Sequence, residues 1–172
     1  NISEKMSKDI DEMEKMLNNY LQFAKTQSQE DTSFINLSFL FDEIKNNINN
    51  KNLILEKLES VILKGRMISL KRCFENLIQN GLTYGKNVYI SLQKSSSRVI
   101  IIIDDDGPGI PEDQYKNVFK PFFRLDKSRN LNQSGVGLGL AIAEDIINSH
   151  GGNIQLGKSK YKGLQVKISL PF

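Results

Sequence analysis

Ile2, Met6, Ile10, Met13, Leu17, Tyr20 and Ala24 recur at spacings of four and three with charged residues between them. This pattern predicts a long amphipathic helix over residues 2–24 with a coiled-coil-like stripe. The stripe calls for a surface to lie against: the partner helix of a hairpin or bundle, or else the domain that follows. Residues 27–32 are polar and read as a connection. From residue 33 the texture changes. Residues 33–37 alternate, and Ser38 is placed to cap a helix reaching about Asn49. Residues 53–64 read as two short strands about a turn, ended by Gly65. Ser69 is placed to cap a second helix through Thr83, with Leu70, Phe74, Leu77 and Ile78 on its inner face. Residues 87–93 alternate as a strand, 94–97 form a turn, and 98–104 are the hairpin mate. The run Val99-Ile100-Ile101-Ile102-Ile103 predicts a central strand buried on both faces. Residues 137–149 predict a helix with Leu138, Ile142 and Ile146 in line, ended by His150-Gly151-Gly152. Residues 153–156 and 164–170 form a closing hairpin. Helices set against paired strands define an α+β fold, a two-layer sandwich preceded by one long helix. A βαβ unit with a glycine fingerprint after its first strand is missing, which argues against a dinucleotide fold.

A chain of 172 residues, 39% hydrophobic and 25% charged, can bury one good core. The net charge of +3 is spread along the chain without a basic run, so nucleic acid is not an expected partner. The single cysteine, Cys73, cannot form an internal disulfide and, lying in a helical pattern, reads as a buried thiol of a reducing compartment. No stretch approaches the roughly 18 apolar residues of a membrane span. The chain opens at Asn1 directly in a helical pattern, as a piece of a longer protein would.

Candidate chemistry concentrates in three places. Asn76 and Asn80 are four apart and stack on one helix face. A carboxamide oxygen is a hard, neutral ligand that magnesium accepts while keeping waters and substrate phosphates; a pair of surface asparagines is the alternative. Asp105-Asp106-Gly107-Pro108-Gly109-Ile110 follows five consecutive apolar residues, which would bury a carboxylate at the strand's end or form only a tight turn. A buried carboxylate needs a donor. The exocyclic amine of adenine supplies one, whereas guanine presents a carbonyl there. Gly107 and Gly109 let backbone approach a flat ring. Gly135-Val136-Gly137-Leu138-Gly139-Leu140 opens a helix, and unobstructed amides at a helix N-terminus suit phosphates; a flexible hinge is the alternative. Between these clusters, residues 124–134 lack periodicity and read as a lid or as disorder, with Arg124, Lys127 and Arg129 able to reach phosphate oxygens.

In order and spacing these segments resemble four sequence boxes of one family. Asn76-Leu77-Ile78-Gln79-Asn80 resembles the N box and Asp105-Asp106-Gly107-Pro108-Gly109 the G1 box. Phe119-Lys120-Pro121-Phe122-Phe123-Arg124 resembles the F box and Gly135-Val136-Gly137-Leu138-Gly139-Leu140 the G2 box. They are similar to the catalytic ATP-binding domain of sensor histidine kinases, of the EnvZ osmosensor type, within the gyrase, Hsp90, histidine kinase and MutL superfamily. The resemblance spans about residues 33–172, with residues 28–32 a linker. Residues 1–27 resemble the second helix of a dimerisation and histidine-phosphotransfer hairpin. It implies that Asn80 holds magnesium brought with ATP, that Asn76 lies by the phosphates, and that Tyr84 stacks near adenine. It further implies that Asp105 receives the adenine amine, with Gly107, Gly109 and Ile110 beside the base. Arg124, Leu125 and Arg129 belong to the lid, and Val136, Gly137, Leu138, Gly139 and Leu140 wrap the phosphates. A response regulator, a homodimer in the intact protein, and a cytoplasmic position in a bacterial inner-membrane sensor are implied as well.

The sequence also departs from the family. Gly81 stands where the family often has Ala, a loss of helix propensity of about 1 kcal/mol. Thr83 stands where Lys or Arg is common, and the connection from Arg129 to Gly135 is slightly long. The phosphoacceptor helix is missing, and the one histidine, His150, reads as a structural residue at a helix end. An ATP-hydrolysing or nucleotide-gated interaction module is the alternative function. Hydrolytic relatives carry a Glu base four residues before the magnesium Asn, where this chain has Asn76, which cannot take a proton from water.

Overall fold

The computed structural model describes residues 2–125 and 137–172, the side chains of Glu12, Thr26 and Ser28 excepted. It divides into two compact units, residues 1–31 and 32–172. The first is the single helix α1, Ile2–Gln29. Ile2, Met6, Ile10, Met13, Leu17 and Tyr20 of the predicted stripe are exposed along it. The helix runs past the expected boundary at residue 27, so only residues 30–32 of the predicted linker are without regular structure. Polar Gln and Ser there are compatible with helix; what sequence lacked at this end was a breaking Gly or Pro.

The second unit is built on a five-stranded mixed sheet in the order β2-β4-β5-β7-β6. Its strands are β2 (Leu53–Leu58), β4 (Val88–Lys94), β5 (Arg98–Asp105), β6 (Asn153–Lys158) and β7 (Leu164–Pro171). Only β2 and β4 are parallel; the other neighbours are antiparallel. Register aligns Leu92, Ile101, Ile168 and Ile154 across four strands on one face, and all four are buried. Each such side chain contributes about 1.5–3 kcal/mol of transfer free energy. The helical layer covering this face comprises α2 (Leu37–Ile48), α3 (Met67–Tyr84) and α4 (Gly139–Ser149). Phe41 of α2 meets Phe74 of α3 with ring centroids 4.8 Å apart. Cys73 of α3 is fully buried with its Sγ 3.8 Å from the Ala143 carbonyl of α4, and burial pushes its thiol far above the ordinary value. It is an inert core residue.

Several local expectations give way. The strand β5 is central but not buried on both faces: Val99, Ile101 and Ile103 are buried, whereas Ile100 and Ile102 are only half-buried. Their register neighbours are Gln93 and Ser169, and Ser91 and Lys167, so that face carries polar residues rather than a second helical layer. The two strands of residues 53–64 do not pair. Instead β3 (Ile62–Gly65) joins β1 (Ser33–Asn36) in a separate antiparallel pair, with Ile35 opposite Leu63, while β2 goes to the main sheet. The cap of α2 is Asn36, not Ser38. Its φ −83° and ψ 109° are extended, and its Oδ1 accepts from the Ser38 N–H at 3.1 Å and the Phe39 N–H at 3.4 Å. At α3 the cap position is Arg66, without a side-chain cap, and Ser69 is buried inside the first turn.

His150 has a structural task, as expected. Its Nε2 accepts from the Arg66 N–H at 3.0 Å, and its Nδ1 donates to the Ile146 carbonyl at 2.7 Å. One imidazole thus clips the start of α3 to the end of α4. A Cβ on Gly65 would lie 3.0 Å from the His150 ring, so the ring is closely packed. His150→Ala should cost about 1–2 kcal/mol, read as a lower denaturation midpoint at unchanged slope. An unchanged midpoint would show that water replaces the clip without loss.

Candidate functional site

The predicted site residues that the structure describes come from α3, the end of β5 with the loop after it, and the start of α4. Asn76 and Asn80 lie half-buried on α3, four residues apart. Gly81 follows because α3 meets the sheet here: a Cβ on it would be 2.6 Å from Val88 Cγ2 and 3.6 Å from Asp105 Cβ. The departure from Ala is therefore a packing requirement that outweighs helix propensity. Tyr84, the last residue of α3, is 60% exposed, and its carbonyl would lie 2.9 Å from a Cβ placed on Gly107.

Asp105 ends β5 opposite Val88 and is only 7% exposed. Its Oδ1 accepts from the Gly107 N–H at 2.9 Å and the Leu164 N–H at 3.0 Å. Its Oδ2 accepts no hydrogen bond from the described residues. Burial raises its carboxyl above the ordinary aspartate value, the two N–H donors pull it back, and Asp106 and Asp104 add to the rise. Asp106 is differently placed. Its Oδ1 accepts from the Lys86 N–H at 2.7 Å and the Asn87 N–H at 2.8 Å, and its Oδ2 from the Asn87 amide at 2.8 Å. Those bonds hold its carboxyl below the ordinary value. Asp106 pins the connection from α3 to β4, and Asp105 keeps an oxygen available.

The N-terminus of α4 meets α3. A Cβ on Gly139 would lie 3.4 Å from Asn80 Nδ2 and 3.8 Å from its Oδ1. Leu138 occupies the cap position of α4 and makes no side-chain cap hydrogen bond to its first amides. Gly137 has φ 78°, and a Cβ on it would be 2.9 Å from the Phe123 carbonyl; its own carbonyl accepts from the Phe122 N–H at 3.0 Å. Leu138 is buried, while Gly139 and Leu140 are half-buried. Gly109 takes φ 71° beside the Gly163 carbonyl. Ile110 and Arg124 are half-buried and Leu125 is exposed. Lys127, Arg129 and Val136, and most of the expected lid at 124–134, lie outside the described residues.

Gly163 and Leu164, in the turn from β6 to β7, escaped sequence reasoning. The only signal was a lone glycine after Lys160-Tyr161-Lys162. A Cβ on Gly163 would fall 2.0 Å from Asp105 Oδ1.

The end of α3 thus approaches both the start of α4, through Asn80 and Gly139, and the end of β5, through Gly81 and Asp105. The sequence model of the histidine kinase-, DNA gyrase B- and HSP90-like ATPases matches residues 65–172, and the chain belongs to that family. Within it the second unit is the ATP-binding catalytic domain of a sensor histidine kinase. The chain is 35% identical to sensor histidine kinase GtrS of Pseudomonas aeruginosa over 99% of its length, covering 36% of that protein. It is 39% identical to sensor protein RstB of Escherichia coli over 59% of its length, covering 24% of that protein. The chain thus spans about a third or less of these relatives. The solution structure of the histidine kinase domain of the E. coli osmosensor EnvZ superposes with a TM-score of 0.62 at 32% identity, covering 81% of this chain and 88% of that one. The ATP-binding domain of PrrB from Mycobacterium tuberculosis gives a TM-score of 0.68 at 26% identity, covering 83% and 98%.

Proposed function

We propose that this domain binds ATP with magnesium and presents the γ-phosphoryl group to a histidine outside this chain, as the kinase core of a two-component sensor. The observation that carries the reading is Asp105: buried, with Oδ1 satisfied by two backbone amides and Oδ2 without a hydrogen bond from the described residues. In this reading Oδ2 accepts the adenine amine, Tyr84 stacks near the ring, and Gly107, Gly109 and Ile110 line it. Asn76 lies by the phosphates, and residues 136–140 wrap them at the start of α4, where the amides lack a side-chain cap. Arg124 and Arg129 contribute phosphate contacts, with Leu125 beside them.

The donors suit magnesium that arrives with the nucleotide. Asn80 offers one neutral oxygen, and among the described residues no group of three or more His, Cys, Asp or Glu could hold an ion alone. Bound there, the ion would neutralise phosphate charge. Phosphoryl transfer asks the protein for positioning and charge stabilisation. Asn76 cannot deprotonate water, which disfavours the hydrolytic alternative. The leading helix serves as the second helix of a phosphotransfer hairpin joined to the catalytic domain by a short linker. A homodimer, a response regulator as phosphoryl acceptor, and attachment to a membrane sensor complete the proposal.

Incubation with radiolabelled ATP and a separate segment carrying the histidine helix tests it. Acid-labile label should appear on the added helix and not on this chain. Asn80→Ala should abolish the gain in ATP affinity that magnesium gives. Label on the chain itself that disappears in His150→Ala, or rapid phosphate release from the chain alone, would overturn the proposal.

A further inference from the structure

The turn that holds Asp105 is itself anchored at the far side of the sheet. Within the turn, the Ser159 N–H donates to the Gly163 carbonyl and the Lys162 N–H to the Ser159 carbonyl, each at 3.0 Å. The Tyr161 N–H donates to Ser159 Oγ at 3.0 Å, and Lys162 takes φ 78°. The end of the turn delivers the Gly163 N–H to the Asp105 carbonyl at 3.2 Å and the Leu164 N–H to Asp105 Oδ1 at 3.0 Å. On its other side, the Tyr161 ring stacks on Tyr89 of β4, with centroids 3.7 Å apart and planes at 17°. The Tyr161 hydroxyl donates to the Glu56 carboxylate on β2. Lys160 Nζ is 3.0 Å from Glu56 Oε2 and 4.9 Å from the centre of the Tyr161 ring. Since β6 and β2 are opposite edges of the sheet, this cluster ties the connection leaving one edge to a side chain on the other. The nucleotide reading uses none of Glu56, Tyr89, Lys160 or Tyr161.

We propose that Tyr161, held by Glu56 and Tyr89, is a positioning residue for the base-reading carboxylate: it keeps the β6–β7 turn seated so that the Leu164 N–H stays on Asp105 Oδ1 and Oδ2 stays aimed at the base. The inference rests on the reading of Asp105 as the adenine acceptor. Stacked aromatic pairs and hydrogen bonds to a carboxylate are each strong enough to hold a short turn against fraying. Releasing the turn removes a donor that opposes the burial-driven rise of the Asp105 carboxyl. Lifting the turn also lessens the burial that raises the carboxyl, so its ionisation, and with it the pH at which acid abolishes ATP binding, moves by the balance of the two. Asp104 and Asp106 are the charged groups acting on it. From the elements packed against it, α3 brings Gly81, β4 brings Val88 and the turn brings Gly163 and Leu164, none of them ionisable.

Calorimetric titration with ATP from neutral to mildly acidic pH tests the clamp, with thermal unfolding recorded for each variant. Tyr161→Ala should weaken ATP binding about tenfold and move the acid limb, while Tyr161→Phe, which keeps the stack, should lose about threefold. A merely structural role would lower the folded fraction without moving the dissociation constant or the acid limb. Should Tyr161→Ala fail to fold, Tyr161→Phe and Glu56→Gln decide the matter by the same limb. Parental affinity and an unmoved limb in these variants, alongside lost binding in Asp105→Asn, would overturn the clamp and leave Asp105 as the base reader. Unchanged binding in Asp105→Asn would overturn both.

Discussion

Replacing Asp105 by asparagine should lower ATP affinity about 10- to 100-fold and erase most of the preference for ATP over GTP, while leaving the nucleotide-free domain at least as stable. A hydrogen bond to a charged group contributes about 1.5–3 kcal/mol, which sets the size of the loss. The asparagine oxygen can still accept from the Gly107 and Leu164 amides that now hold Oδ1. Its amide group then replaces Oδ2 and sets donor against the adenine amine. Stability moves the other way. Burial raises the folded carboxyl above the ordinary 3.8, so the fold prefers the protonated form. The stability from that preference is full below the unfolded value and is lost as pH rises through the folded one. At neutral pH the ionised carboxylate is therefore a cost, and the neutral amide removes it. Calorimetric titration with both nucleotides, paired with thermal unfolding, checks the two halves. Unchanged affinities would remove Asp105 from base recognition; a large drop in melting temperature would show that its role is structural.

Gly163→Ala should be the most damaging added methyl group among the described glycines of the second unit. The added carbon would lie 2.0 Å from Asp105 Oδ1, 2.4 Å from the Asp105 carbonyl and 2.6 Å from the Gly107 amide nitrogen. These are backbone atoms and a short buried carboxylate, which cannot swing aside as a flexible side chain can. Relief requires the turn to lift off β5, giving up the Gly163 and Leu164 hydrogen bonds to Asp105. We expect a loss of about 3 kcal/mol or more, or roughly 10 °C in melting temperature for a unit of this size. ATP binding should be weakened in the fraction that remains folded. Gly157→Ala is the matched control, since its added carbon would meet only Gln165 Oε1, at 3.8 Å. Equal melting temperatures for the two variants would contradict the close approach at Gly163.

What the sequence determined by itself is local. The stripe of α1, the inner face of α3, the β4–β5 hairpin and the end of α4 at His150-Gly151-Gly152 follow from periodicity and breaker residues, which act over a turn or two of chain. The ordered glycine and asparagine segments point to nucleotide chemistry because each backbone requirement leaves its mark at one position. The helix caps lie a few residues from where sequence places them: Asn36 and Ser38 are both good capping residues, and the folded backbone, extended at Asn36 with its Oδ1 on the Ser38 and Phe39 amides, decides between them. Tertiary structure alone decided the rest. It sent β2 and β3 to different sheets, left Ile100 and Ile102 without a second helical layer, and separated the tasks of Asp105 and Asp106. The Asp105–Leu164 bond joins residues 59 apart and the Arg66–His150 bond residues 84 apart. Periodicity carries no information over such separations, because those partners meet only once the sheet and its helical layer have packed.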